Sequence, residues 1–480
     1  MDGSSCSEWR GTLSPARPVS SPRGASPPGN AIETPPGARH HPPVPTSSSL
    51  PRAASGPRAV FRIRDFTFLQ IAKSLATLGF FMEVTTVGYQ VYSLTRQQLN
   101  LGLVGLAYFL PAVLLALATG YVADRFDRRR VAQICQAGSL LVAGALAWIS
   151  HQAGGAVPPH AAFLGILGAV FLSGAVHAFY GPAIQALLPS LVPREQLSNA
   201  ITWNSALWQG MAIAGPALGG LSLARFGPGG TYLIEMIFYG AAIVCMGFIR
   251  RRPGPVPGGT TGASWDRLVA GLRFIRSRPV LLGAISMDLF AVLLGGATAL
   301  LPVFAQDILR VDERGFGLLR ASPAIGAGLM SIAIAHRPPM RHAGRSMMLA
   351  VALFGVATVA FGLSRSFALS VVCLVTLGAC DMISVVVRQT LVQAMTPDAM
   401  RGRVSAVNLV FIGASNELGE FESGTLAHWI GTVPTVVAGG LGTLAVVGLW
   451  AWLFPDLRRF GSLDTAHHTP QPGRDSEVAP

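Results

Sequence analysis

Between residues 67 and 454 the chain alternates long apolar runs with short polar breaks. The runs cover roughly 67–93, 101–123, 131–150, 162–187, 199–223 and 231–250, then 279–303, 315–336, 346–364, 367–389, 404–428 and 432–454. Each approaches the ~20 residues that cross hydrocarbon as a helix. The pattern predicts an all-α polytopic membrane protein with twelve transmembrane helices in two six-helix bundles, residues 61–250 and 279–455. Between them, residues 251–278 follow Arg250, begin with Arg251 and Arg252, continue in Pro and Gly, and end in a segment from Trp265 to Arg278. There Leu268, Leu272 and Ile275 recur at helical spacing among arginines, which predicts an amphipathic helix on the inner membrane surface. Residues 1–60 are rich in Pro, Ser, Gly and Arg and, with 456–480, are expected to be disordered cytoplasmic tails. The run Phe61 to Phe66 reads as the natural beginning of the fold.

Composition agrees with a membrane protein: 51% of residues are apolar, 12% are charged and mean hydropathy is +0.48. The net charge of +13 lies mainly in arginines of short loops beside the apolar runs, so it reads as topology and excludes a nucleic-acid partner. Alternate loops differ sharply in arginine. Arg128 to Arg130, Arg194, Arg250 to Arg252, the arginines from Arg267 to Arg278, Arg337, Arg341, Arg345, Arg401 and Arg403 fall on one side, against Arg96, Arg225, Arg310, Arg314 and Arg365 on the other. Both termini are therefore expected in the cytoplasm. Five scattered cysteines without metal-like spacing predict neither a disulfide framework nor a metal site, and no cofactor is expected.

The two sets of six repeat. A shift of 204 residues lays Gly174 on Gly378, Gln185 on Gln389, Pro193 on Pro397, Asn204 on Asn408, Gly215 on Gly419 and Gly220 on Gly424. A shift of 212 lays Pro111 on Pro323, Ala112 on Ala324, Arg125 on Arg337 and Arg129 on Arg341. Parallel six-helix repeats place a substrate site near the membrane midplane between them.

The loop Gly120-Tyr121-Val122-Ala123-Asp124-Arg125-Phe126-Asp127-Arg128-Arg129-Arg130 resembles the signature loop of the major facilitator superfamily, with Asp127 where that family usually has glycine. Stretches such as Val104 to Pro111, Val122 to Arg130 and Phe411 to Gly424 are similar to the branch holding enterobactin and drug exporters. Gly215-Pro216-Ala217-Leu218-Gly219-Gly220 resembles the antiporter motif of drug-exporting facilitators, with Met211 in place of a further glycine. The resemblance covers about residues 61–460. It implies the major facilitator fold, a monomer in a bacterial inner membrane, and a secondary active transporter that exports a siderophore-like or drug-like organic compound against protons.

Ionisable groups are costly inside hydrocarbon and mark function. Helices 1, 4, 7 and 10, which line the cavity in this fold, each hold one: Glu83, His177, Asp288 and Asp381. His177 and Asp381 occupy equivalent places under the 204-residue shift, so they are expected to face one another across the cavity. Gating and contact between the halves fall to Gly120, Asp124, Arg125, Arg128 and Arg129 of the loop, to Gly215, Pro216, Gly219 and Gly220 of helix 5, and to Glu417 and Glu420, which share a face of helix 11. Asp124 is expected to cap a helix start and to meet Arg401 or Arg403. Lys73, two turns inside helix 1, is expected to snorkel to the surface. The sequence has no His-Glu-x-x-His, Gly-x-Ser-x-Gly or phosphate-cradling Gly-Lys-Ser/Thr loop, which argues against a hydrolase or an ATP-driven pump. An importer of the same fold and a membrane sensor or scaffold without turnover are the competing readings.

Overall fold

The computed structural model describes residues 58–461 apart from 116, 117, 120, 121, 123, 124, 154, 156, 251–264, 338, 339 and 341. Gly120 and Asp124 of the signature loop and nearly all of both tails therefore lie outside the described residues. The first half contains α1 (Arg64–Thr95), α2 (Gln98–Leu114), α3 (Arg128–Gln152), α4 (Pro159–Leu191) and one long helix, Leu197–Gly247. That helix is two spans joined end to end. Gly227 adopts φ 66°, ψ −178°, a conformation that a side chain would strain. Pro228 then restarts the helix with its fixed φ, the favoured arrangement at a first helical position. Residues 197–226 are α5 and 228–247 are α6.

The second half contains α7 (Pro279–Leu294), α8 (Glu313–Ala335), α9 (Ala343–Leu363), α10 (Phe367–Met395), α11 (Asp398–Ile430) and α12 (Thr432–Leu453). Among the described residues, eight helical stretches are long and apolar enough to cross a membrane. The merged α5–α6 stretch is one of them.

Span 7 departs from expectation. Instead of one helix to residue 303, α7 stops at Gly295 and Gly296, where the chain lies against the backbone of Gly419 in α11. It continues through a 3-10 turn, Ala297–Leu300, and a π turn, Phe304–Ile308.

Caps explain several ends. The Asp127 carboxylate accepts from the N–H groups of Arg129 (2.9 Å) and Arg130 (3.4 Å) and so starts α3. This gives the departure from the usual glycine a local purpose. Asp312 does the same for α8, accepting from Gly315 N–H at 2.9 Å.

Three large apolar cores divide the molecule. One draws residues from both halves, including Val91, Tyr92, Leu101, Leu146, Leu301, Phe304, Phe316 and Phe361. The second, around Phe66, Leu69, Leu188 and Met246, belongs to the first half alone; the third, around Leu281, Met287, Leu391 and Leu457, belongs to the second. The halves are therefore fused at the end carrying the α1–α2 and α7–α8 connections, and they keep separate cores at the other. Phe61 packs against Phe66 and Trp203 at ring separations of 5.5 and 5.0 Å, tying the start of the fold into the second core.

The linker helix, Trp265–Arg276, does more than rest on a surface. Ile275 is fully buried in the third core, and Gly271 abuts the Arg403 carbonyl of α11. Lys73 does not snorkel: its ammonium donates to Asn204 Oδ1 of α5 at 2.5 Å.

Candidate functional site

A cavity of about 760 Å³ lies between the halves. Under the 204-residue shift its walls correspond in position and differ in chemistry. Trp208, Ala212 and Pro216 line the first-half wall where Ile412, Asn416 and Glu420 line the second. Under the shift of 212, Tyr108 corresponds to Arg320, and both line the cavity. The first wall is largely aromatic, with Phe80, Phe81, Tyr108 and Trp208, and carries one carboxylate, Glu83. The second is ionic, with Arg320, Arg388, Asp381, Glu417 and Glu420.

The ionic groups are fixed by their neighbours. Arg320 donates to the Thr298 carbonyl at 2.9 Å and stands 3.8 Å from Glu420, while Glu420 packs close to Gly105 of α2. Arg388 and Asp288 form an ion pair at 2.7 Å, nearly excluded from solvent at 3% and 6% side-chain exposure. Ser384 donates to the other Asp288 oxygen at 2.7 Å. Asp381, Ser384 and Arg388 repeat along one face of α10. Asp288 thus sits behind the cavity wall, joined to the cavity through Arg388, and shares a small adjoining pocket with Asp381. Gln209 bridges the halves by donating to the Ala324 carbonyl at 2.8 Å.

Of the four ionisable groups singled out on helices 1, 4, 7 and 10, Glu83 and Asp381 line the large cavity. His177 lies off its lining. The imidazole stacks on Phe80 at 4.4 Å and Tyr108 at 5.8 Å, with Nδ1 3.1 Å from the Ser173 carbonyl. It therefore reaches the cavity through Phe80 and does not oppose Asp381 directly.

The helix 5 motif divides its contacts. Gly215 and Gly219 admit α1 at Phe81 and Met82, Pro216 faces the cavity, and Gly220 meets Gly317 of α8 backbone to backbone. Gly102 and Gly424 make the matching joint between α2 and α11. Arg128 donates to the Ala186 carbonyl (3.0 Å) and Arg129 to the Gly247 carbonyl (2.6 Å), so these contacts hold the loop to its own half. Arg125 lies in the described part of the same loop.

The fused end is latched by polar pairs. Tyr92 donates to Asp307, which also pairs with Arg96 at 3.1 Å; Tyr89 donates to Glu313 at 3.0 Å and Gln306 to Ser93 at 3.0 Å. Asp307 and Gln306 are presented by the π turn. Because Arg96 and Asp307 are solvent-exposed, their pair is worth at most about 1 kcal/mol. Tyr92→Phe combined with Asp307→Ala is expected to raise labelling of Val91→Cys, which is buried in the core shared by both halves, by a membrane-impermeant thiol reagent about fivefold, the population shift that ~1 kcal/mol commands. Unchanged labelling would show that the apolar core alone holds this end.

Two six-helix halves around one central cavity define a major facilitator secondary transporter. The family model of the transmembrane secretion effectors matches residues 55–480, and the chain belongs to that family. It is 26% identical over 407 residues to the enterobactin exporter EntS of Shigella boydii serotype 18, covering 84% of this chain and 92% of the relative. Among solved structures, a bacterial homologue of the iron transporter ferroportin in an inward-facing state matches with TM-score 0.63 at 15% identity, over 83% of this chain and 99% of that one. A bacterial homologue of the human lysosomal transporter Spinster, inward-facing and occupied, matches with TM-score 0.61 at 15% identity, over 82% and 98%.

Arg320, Arg388 and Glu235 escaped the sequence reading, which treated arginines as loop markers and took one ionisable group per cavity helix. Each nevertheless stands as a charge inside an apolar run, the same signal that singled out Glu83.

Proposed function

We propose that the protein exports a bulky amphiphilic organic compound across a bacterial inner membrane by alternating access, driven by proton exchange. The carrying observation is the two-faced cavity: an aromatic wall suited to a flat apolar body stands opposite an ionic wall suited to its polar groups. The arginine distribution supports cytoplasmic termini. In that orientation the separate cores lie at the cytoplasmic end, the cavity opens inward, and the latched end faces out. The relatives named as enterobactin exporters put siderophore-like chelators first among the cargoes to try. Protons enter the reading through the cavity carboxylates Glu83, Asp381, Glu417 and Glu420, and a single chain encloses the whole cavity, which supports a monomer.

The test is proton flux in proteoliposomes loaded with a pH-sensitive dye, challenged with catecholate chelators and amphiphilic drugs. Compound-driven proton movement is expected in the wild type. It should fall about tenfold in Asp381→Asn or Glu420→Gln, the worth of one charge-assisted contact. Import through the same cavity would reverse the sign of the dye response. Silence with every compound would favour a sensor or scaffold and overturn the proposal.

A further inference from the structure

The interior of the first bundle holds a second polar assembly, separate from the ionic wall. One face of α6 carries Tyr232, Glu235 and Tyr239 at positions i, i+3 and i+7, all excluded from solvent. Neither carboxylate oxygen of Glu235 has a hydrogen-bond partner. Across from it on α1, Glu83 accepts from Ser173 at 2.6 Å through one oxygen, and its other oxygen has none. Tyr239 packs on Gly79 and Tyr232 donates to Gln90, so this face of α6 lies along α1 on both sides of Glu83 and sets Glu235 opposite it. The Tyr239 hydroxyl reaches toward Glu83 without closing a well-formed hydrogen bond.

None of the surrounding side chains carries a fixed charge. Tyr108 comes from α2, Cys135 and Gln136 from α3, Ser173, His177 and Tyr180 from α4, and Tyr232 and Tyr239 from α6. Among the described residues no cation stands beside the pair. Toward the latched end the assembly continues into a satisfied network, in which Tyr232 donates to Gln90 at 2.9 Å and Gln90 to Ser150 at 2.8 Å.

Two ionised carboxylates enclosed together without a cation carry a desolvation cost of several kcal/mol per ion as well as mutual repulsion. One proton between them removes a charge and turns an unpartnered oxygen into a donor. We infer that Glu83 and Glu235 hold one proton in common, forming a proton-binding site inside the first bundle that meets the cavity only at Glu83. Cargo arriving at the aromatic wall contacts the pair through Glu83, while Glu235 stays out of its reach. The pair's part in transport rests on the proton exchange proposed above; the shared proton itself does not.

Infrared spectra of the purified full-length protein, recorded in water and in deuterium oxide as pH is stepped, test the site without any cargo. The wild type is expected to show a slowly deuterating carboxylic-acid C=O band. One component of that band should disappear in Glu235→Gln, persist in Glu235→Asp and shift in Glu83→Gln. A band unchanged in Glu235→Gln overturns the shared proton. If that variant fails to yield a monodisperse protein, an unshifted band in Glu83→Gln does the same. Loss of the band with compound-driven proton flux intact would keep the shared proton and overturn its part in transport, a result distinct from the wild type's showing no flux at all.

Discussion

Arg388→Ala is expected to cost about 3–5 kcal/mol of stability, because it leaves the Asp288 carboxylate buried without its counter-charge. The pair is nearly excluded from solvent on both sides, and Ser384 satisfies only one of the two carboxylate oxygens. Taken singly, Asp288→Asn leaves a buried guanidinium and carries a similar penalty. The double variant Asp288→Asn with Arg388→Gln removes both charges at nearly constant shape, and most of the lost stability should return. Transport should not return, since the cavity then lacks the cation that Arg388 presents at its wall. Thermal unfolding in detergent separates the cases. A single variant as stable as the wild type would mean that the pair is hydrated and contributes little.

Gly378→Val is expected to abolish the folded transporter. A Cβ at this position would collide with the Pro323 carbonyl oxygen of α8, and one at Gly326 with the Val375 carbonyl of α10. The obstacle is backbone on both sides, so no rotamer change can relieve it and the two helices must part. The cost exceeds the usual 1–3 kcal/mol of an overpacked core. Gly413→Ala is the control: nothing lies within 4 Å of the added carbon, and Ala is worth roughly 0.5–1 kcal/mol over Gly inside a helix. Yield of monodisperse protein on gel filtration should fall sharply for the first and stay level for the second. Equal yields would mean that α8 and α10 do not cross there.

The equivalent contact in the first half, Gly174 against the Tyr108 carbonyl, explains why one offset brought glycines together in the sequence. Where two helices touch through backbone, only glycine serves, so the repeat keeps its glycines while the surrounding side chains diverge. Helices were legible because the lipid phase demands long apolar runs whatever their packing. Ends were less so: nothing in the apolarity of residues 279–303 shows that the chain breaks at Gly295 and coils into a π turn, because the close approach of Gly296 to the α11 backbone at that break is a long-range contact. The site was legible where a carboxylate interrupts an apolar run, as at Glu83, Asp381, Glu417 and Glu420. Pairing was not, because the partners Asp288 and Arg388 are a hundred residues apart in the chain. The His177 imidazole shows the limit of the symmetry argument: Phe80 covers it, whereas Asp381 at the matching place faces the cavity.

The two joints between the halves, Gly220 on Gly317 and Gly102 on Gly424, bring bare backbone against bare backbone. Interlocked side chains at such a place would have to disengage rotamer by rotamer whenever the halves rock. Smooth chain can slide with little friction, so hysteresis is concentrated elsewhere. In the alternating-access cycle proposed above, the tyrosines and acids of the latch would be its escapement, and the tempo of turnover would be tunable at Tyr89, Tyr92, Asp307 and Glu313 without touching the cavity.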